Sequence, residues 1–298
     1  MNLQIQSFSK PQIIGILATI SAAIIFGVYP PAAKAAYQEG ANIIFIVLIT
    51  TICRMAALNI AVLIKRHKIF KRKEDYKFTV LAGVCQALSV IGIFGASYYL
   101  PGAVVIIIMF TYSLMLLAFS AFKNEIKLNV VNIGTTIFAL IGLGLVLKVY
   151  EYSNIQNIIG ISLAFMAALT TFARTYIYGQ QGRKRNPLTV GAESFIVASL
   201  CVLLLMFWEM PEIPSSQFGI TMTALCVAAS VLGTFGMFYG VAMLGPYHFS
   251  MLMKLEPVFT TIFGILLIGD LLSLSQYFGI AVVLISLISL QLFDRQKT

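Results

Sequence analysis

The chain is organised as long apolar segments separated by short polar joints. Ten of these segments have the length of about 20 residues that is needed to cross the hydrocarbon core of a bilayer. They are residues 13–33, 43–64, 78–98, 104–122, 129–147, 158–178, 188–208, 219–241, 248–268 and 274–293. Pro101 and Pro246 interrupt the two shortest joints, and proline breaks a helix, so the flanking segments are kept as separate spans. The pattern predicts an all-α integral membrane protein with ten transmembrane helices.

The apolar pattern occurs twice, with a constant offset of 145 residues. The matches include Ile13-Ile14-Gly15-Ile16 with Ile158-Ile159-Gly160-Ile161, Pro101 with Pro246, Glu125 with Asp270, and Gly134 with Gly279. A fixed internal offset indicates a duplicated unit. Five spans per copy is an odd number, which requires the copies to lie upside down relative to each other, as in many transporters. We therefore predict two inverted five-helix repeats, residues 1–145 and 146–298.

Composition and charge support a membrane protein with a defined orientation. The chain is 59% hydrophobic and 10% charged, whereas about a quarter of the residues in soluble domains are charged. Its net charge of +9 is concentrated on the side of the two termini, where the basic residues are Lys10, Lys65, Arg66, Lys68, Lys71, Arg72, Lys73, Lys77, Lys123, Lys127, Arg183, Lys184, Arg185, Arg295 and Lys297. The opposite side has Lys34 and Lys148. The positive-inside rule then places both termini in the cytoplasm of a multi-pass protein of the plasma (inner) membrane.

This distribution also bears on partners. It explains the basic charge without a nucleic acid, so no nucleic-acid partner is expected. The basic run 65–73 is suited to anionic lipid, although a role in setting the topology is the stronger interpretation. Membrane lipid and a small-molecule substrate are the expected partners, and a homodimer is left open.

Soluble-enzyme chemistry is not indicated. The four cysteines, Cys53, Cys85, Cys201 and Cys226, lie inside apolar segments without CxxC spacing. The chain has two histidines and none of the common metal, nucleotide or hydrolase motifs. We expect no catalytic residues, no metal site, no cofactor and no enzymatic activity.

Five ionisable residues fall inside predicted spans: Arg54, Arg174, Glu193, Lys254 and Glu256. A charge at the centre of a membrane helix costs about 2.5–3.5 kcal/mol on insertion scales, and such residues are functional candidates by default. Arg174 and Glu193 lie about five residues from the cytoplasmic ends of their spans. Their similar depth predicts a pair, which serves either as a structural bridge or in gating or coupling.

Lys254 and Glu256 lie two residues apart, about 200° around a helix, so they cannot share a face. Lys254 is mid-helix and is the first candidate for contact with an anionic substrate group. Glu256 precedes Pro257, so a helix-kink scaffold is the alternative to its assignment to gating or coupling.

Aromatic and amide side chains complete the predicted cavity. Tyr29, Tyr112 and Tyr239 occur in different spans, and together with Gln86 and Arg54 they are predicted to bind substrate. Tyrosine hydroxyls inside a membrane need hydrogen-bond partners, and their ring faces attract ammonium groups. Tyrosines at span ends are assigned to the interfacial belt: Tyr98, Tyr99, Tyr150, Tyr152 and Tyr178.

Several motifs resemble those of the EamA branch of the drug/metabolite transporter superfamily. Phe26-Gly27-Val28-Tyr29-Pro30 resembles a Trp-Gly-x-x-x-Pro-type motif. The pattern Leu-x-Pro-Val…Gly-Glu…Gln-x-x-Gly is matched by Leu255-Glu256-Pro257-Val258, Gly269-Asp270 and Gln276-Tyr277-Phe278-Gly279. Phe26 and Asp270 depart from the pattern. The resemblance covers the whole chain and implies a central cavity lined by spans 1–4 and 6–9. Arg54 lies at a position where the family often has arginine, which favours a structural tie as the alternative to ligand contact.

These features predict a secondary transporter that moves a small polar metabolite across the inner membrane by alternating access. An amino acid or similar zwitterion fits the mixture of charges and tyrosines best. The alternative is a quaternary amine such as choline, bound by the tyrosines with Glu193 or Glu256. An integral-membrane transferase would need a His, Asp or Glu cluster at one membrane face, which the sequence lacks.

Overall fold

The computed structural model describes residues 9–70, 73–152, 157–207, 209–269 and 271–294. The regular elements in these ranges are helices: α1 (Lys10–Gln38), α2 (Ile43–Ile64), α3 (Lys73–Ser97), α4 (Gly102–Phe110), α5 (Tyr112–Phe122), α6 (Val130–Val146), α7 (Ile158–Lys184), α8 (Pro187–Leu203), α9 (Gln217–Leu244), α10 (Pro246–Leu252), α11 (Leu255–Ile268) and α12 (Leu274–Asp294). Asp270 of the family signature and the basic residues Lys71, Arg72, Arg295 and Lys297 lie outside the described residues.

The predicted ten-helix membrane fold is confirmed. Eight stretches of the described chain are long and apolar enough to cross a membrane, and two shorter apolar helices, Val130–Val146 and Leu274–Leu290, complete the set. The fourth span is α4 followed by α5, and the ninth is α10 followed by α11. Both spans are therefore kinked near their middle, so each is divided into two half-helices.

The helix contacts relate the two copies to each other. The first span, α1, packs on the eighth span, α9. The corresponding spans of the other copy are the sixth, α7, and the third, α3, and these also pack on each other. The second span packs on the seventh, and the fifth packs on the tenth. The two members of each of these pairs are corresponding spans of the two copies. This pattern is what a two-fold relation between five-helix repeats produces. The division at residues 145 and 146 stays a prediction.

Glycines allow the closest helix crossings. A Cβ atom added to Gly236 of α9 would lie 2.6 Å from the carbonyl oxygen of Ala18 in α1, and Gly240 faces Thr19 one turn further on. In the related crossing, a Cβ atom at Gly92 of α3 would lie 2.8 Å from the carbonyl oxygen of Leu163 in α7. Small residues let membrane helices approach at the backbone, so these crossings hold the two repeats tightly together.

Contacts between loops agree with the alternation of ten crossings. Ten crossings bring the first and last described residues, 9 and 294, to one side of the bundle, which we call the terminal side. On that side the Asn186 amide lies 3.1 Å from the His67 ring nitrogen Nε2, which joins the loops after spans two and six. On the opposite side, the side chain of Asn42 donates to the carbonyl of Met210 at 2.8 Å, which joins the loops after spans one and seven. Each contact joins loops that ten crossings bring to one side.

Candidate functional site

Three charged residues from both repeats meet within the bundle. Arg54 of α2 interacts electrostatically with Arg174 of α7 and with Glu256 of α11, and Glu256 interacts with both arginines. We call these three residues the central cluster. All three are half-buried although they lie within membrane spans. Charged side chains inside membrane spans are functional candidates by default, so we take the central cluster as the candidate binding site.

The local sequence around Pro257 explains the position of Glu256. Proline has no backbone N–H to donate to the carbonyl four residues earlier, which here belongs to Met253. The backbone N–H of Glu256 donates to that carbonyl instead, at 3.0 Å. Glu256 thereby lies in the first turn of α11, where the helix dipole favours a carboxylate. The missing N–H of Pro257 therefore accounts both for the kink between α10 and α11 and for the position of the Glu256 carboxylate.

The two arginines keep unused hydrogen-bond donors. The Nε atoms of Arg54 and Arg174 are buried and lack a hydrogen-bond partner. Within the described ranges neither residue forms a salt bridge. The Arg54 guanidinium lies 5.9 Å from the centre of the Phe195 ring, a contact typical of a cation–π interaction. Guanidinium groups bind carboxylates through paired N–H donors, so the two arginines are candidates for binding an anionic group.

Tyrosines surround the cluster. Tyr29 interacts electrostatically with Arg54, and Tyr112 interacts with Arg174 and Glu256. These two predicted residues are therefore brought to the site. Tyr178, which the sequence assigns to the interfacial belt, also interacts with Arg174 and Arg54 and is 1% exposed. That assignment was wrong because α7 continues to Lys184, which puts Tyr178 well inside the helix.

Two predicted contacts lie apart from this group. Tyr239 is near the terminal-side end of α9, where its hydroxyl accepts a hydrogen bond from Lys65 at 3.3 Å. Gln86 is buried on α3, one turn before Ser89, whose hydroxyl bonds that of Thr171 in α7 at 2.7 Å. It therefore faces α7. Their roles as substrate contacts stay predictions.

Glu193 pairs with Arg185 instead of Arg174. Its carboxylate is fully buried and lies 2.5 Å from the Arg185 guanidinium. It also accepts from the Phe70 backbone N–H and the Thr79 hydroxyl, both at 2.8 Å. The predicted pair with Arg174 was wrong because equal depth does not specify which side of a helix a residue faces. Two nitrogens of Arg185, the Phe70 N–H and the Thr79 hydroxyl make four donor contacts to this carboxylate. We call this arrangement on the terminal side the structural clamp.

Lys254 is also placed differently from its prediction. It is fully buried, and its ammonium donates to the Ser113 hydroxyl at 2.8 Å and contacts the Met251 sulfur at 3.1 Å. Glu256, by contrast, is half-buried. Lys254 and Glu256 therefore have different surroundings, as their spacing predicted.

The Lys254–Ser113 contact lies where the kinked spans meet. The terminal-side halves, α5 and α10, pack on each other, whereas α4 and α11 on the opposite side do not pack extensively. The bundle is therefore closed between these spans on the terminal side and more open on the opposite side. The contact joins the two half-helices of this closed seam.

The clamp generates a prediction for a double-mutant cycle. Glu193→Gln and Arg185→Gln should each lower the unfolding free energy, because each leaves a buried charged group without its partner. The double variant should recover a coupling energy of about 0.5–3 kcal/mol. Denaturation of purified protein measures this, and the cycle of Glu193→Gln with Arg174→Gln is the control, for which additive effects are expected. Coupling to Arg174 but not to Arg185 would contradict the observed pairing.

The position of Lys254 generates a second prediction. Lys254→Met removes an amine without a carboxylate partner and keeps an unbranched side chain, so stability and substrate affinity should both be retained. Ser113→Ala should instead destabilise the protein by about 1–3 kcal/mol, because the buried ammonium loses its hydroxyl acceptor. Thermal denaturation and ligand titration of both variants measure this. A folded Lys254→Met variant that no longer binds substrate would restore the lysine to the binding site.

The fold is that of a helical membrane protein built from two repeats, and comparison with known proteins identifies the class of protein. The sequence model of the EamA-like transporter family matches residues 13–148 and 158–291, so the chain belongs to this family of small-molecule transporters. A search of curated proteins finds no significant match. A crystal structure described only as that of a protein is similar in fold, with a TM-score of 0.78, 16% identity, and coverage of 97% of this chain and 100% of the other.

Proposed function

We propose that this family member is a secondary transporter that moves an amino acid or a similar zwitterion across the inner membrane by alternating access. The observation that carries the proposal is the central cluster, in which two arginines and one glutamate are half-buried within membrane spans and interact electrostatically. A zwitterion carries a carboxylate and an ammonium group, and the cluster has a complementary group for each. Few other small metabolites need both signs of charge at one site.

Each residue of the cluster has a chemical role in this proposal. The unpartnered donors of Arg54 and Arg174 bind the substrate carboxylate. Glu256 binds the ammonium group, and the rings of Tyr29 and Tyr112 line the same region. In this proposal Lys254 does not bind the substrate, because its ammonium is held by Ser113 and Met251. Gln86 and Tyr239 stay predictions as substrate contacts, since no observed interaction links them to the cluster.

The charge of the site argues against choline or another quaternary amine. Such a substrate has a fixed positive charge and no group that neutralises a guanidinium. It would lie beside two arginines and only one carboxylate, and like charges at close range repel strongly inside a protein. The zwitterion is therefore the better match.

Alternating access is supported by the unequal packing of the two kinked spans. Packing of α5 on α10 separates the cluster from the terminal side, whereas α4 and α11 leave more space on the opposite side. Transport requires the exchange of this arrangement for one in which α4 and α11 pack. The two-fold relation between the repeats provides equivalent elements for both states.

Ligand binding by a Glu256→Gln variant tests the function. A thermal-shift screen of amino acids should find substrates that stabilise the protein, because ligands that bind the folded state raise its stability. Glu256→Gln should weaken binding at least tenfold, about 1.4 kcal/mol, through loss of the ammonium partner. The matched control is Glu212→Gln, which makes the same change in a loop outside the membrane. Unchanged binding in a folded Glu256→Gln variant would refute the assigned role.

We further propose that the terminal side faces the cytoplasm, because it has most of the basic residues. Single cysteines at Asn124 and Lys184 should resist a membrane-impermeant maleimide in intact cells, whereas cysteines at Lys148 and Ser215 should react. The background replaces Cys53, Cys85, Cys201 and Cys226 by alanine. The reverse labelling pattern would overturn the orientation and leave the fold intact.

A further inference from the structure

The contact between Lys254 and Ser113 lies at the breaks of both kinked spans. Lys254 lies between the half-helices α10 and α11, and Ser113 lies in the first turn of α5. The Ser113 hydroxyl donates its one proton to the carbonyl of Phe110 at 3.0 Å. It therefore accepts the hydrogen bond from the Lys254 ammonium at 2.8 Å. This contact spans the closed seam between α5 and α10.

Burial of this ammonium group opposes closure of the seam. Lys254 is fully buried, and no salt bridge between described residues includes it. A lysine in neutral water holds its proton, so burial costs either the hydration of the charge or the release of the proton. The Ser113 hydroxyl and the Met251 thioether, at 3.1 Å, replace only part of the lost hydration, because neither carries a negative charge. Separation of α5 from α10 returns the ammonium to water and removes this cost.

The other repeat has no charged group at the equivalent contact. At the constant offset of 145 residues, Lys254 corresponds to Met109. Ser113 corresponds to Val258 at the same offset. The two-fold relation brings Met109 and Val258 together when α4 packs on α11, which is the closed form of the opposite side. That contact is apolar and buries no charge, so the two closed seams differ in chemistry at this one position.

We propose that Lys254 controls the balance between the two states of the transporter by weakening the closed seam on the terminal side. Ser113 limits this effect, because its hydroxyl accepts a hydrogen bond from the ammonium. The proposal rests on the proposed function, since it assumes alternating access. It adds that one lysine without a role in substrate binding makes the terminal side easier to open than an apolar seam allows.

The two partners of the contact should have opposite effects on the seam. Ser113→Ala removes the acceptor and leaves the ammonium, so it should raise the ratio of protein open on the terminal side to closed protein about tenfold. Lys254→Met introduces the residue type of the equivalent position, Met109, and should lower this ratio. The double variant should resemble Lys254→Met, because a seam without the ammonium no longer needs the acceptor.

Pulsed EPR distances measure the opening of each side. One pair of spin labels, at Lys123 and Met243, reports on the terminal side, and a second pair, at Gly102 and Leu271, reports on the opposite side. All four positions are exposed, and a Cβ atom at Gly102 meets no other atom within 4 Å. The labelled protein is the full-length chain in lipid nanodiscs, with its native cysteines replaced by alanine.

Two variants serve as matched controls. Ser286→Ala makes the serine change at a buried position of α12, where the hydroxyl bonds the Val282 carbonyl of its own helix at 2.8 Å. Lys184→Met makes the lysine change at an exposed position on the terminal side. Both should leave the two distance distributions unchanged. Thermal denaturation verifies that each variant is folded.

The possible results separate the two proposals. If Lys254→Met opens the terminal side as Ser113→Ala does, or if the double variant stays open, the contact is a latch that holds the seam and the proposed role of Lys254 is overturned. If the distances respond to amino-acid ligands but to neither substitution, the role of Lys254 is overturned and alternating access stands. If no ligand and no variant changes either distance, both proposals fail.

Discussion

The cost of placing charge inside a bilayer is the constraint on which this structure depends. Each ionisable residue in a span costs about 2.5–3.5 kcal/mol unless it is compensated. Glu193 meets this cost with Arg185 and two further donors, and Lys254 with a hydroxyl and a thioether. Arg54 and Arg174 share one carboxylate and keep unused donors. The carboxylate of Glu193 is therefore compensated by direct contacts, whereas Arg54 and Arg174 make no salt bridge within the described residues.

The duplicated architecture determines where that incomplete compensation occurs. Close crossings at Gly236 and Gly92 hold α1 on α9 and α3 on α7, which joins the two repeats across the bundle. The central cluster takes Arg54 from one repeat and Arg174 and Glu256 from the other. A site shared between repeats changes its access when one repeat moves against the other, and the kinked spans α4–α5 and α10–α11 supply half-helices that can pack on either side.

Much of this could be predicted from the sequence. The order of apolar, basic and small residues determines the spans, the two copies, the number of crossings and the family resemblance. Hydropathy decides which segments cross the membrane, and the charge of the loops decides their side. The small-residue face of α9 was also predictable, since spacing alone brings Gly236 and Gly240 to one side of the helix. Arg54, Tyr29, Tyr112 and Glu256 were identified as site residues for the same reason: they are polar positions inside apolar spans.

The tertiary structure decided which partner each of these side chains has. Depth along a helix could be counted from the sequence, and it suggested Arg174 for Glu193, but the rotation of the helices brings Arg185 to that carboxylate. The different directions of Lys254 and Glu256 followed from their spacing, whereas the packing of the helices determines that Lys254 is fully buried and Glu256 half-buried. Tyr178 became a site residue because α7 is longer than its apolar core. The sequence by itself determined the crossings and their order, because hydropathy acts locally, and the contacts between distant segments determined the site.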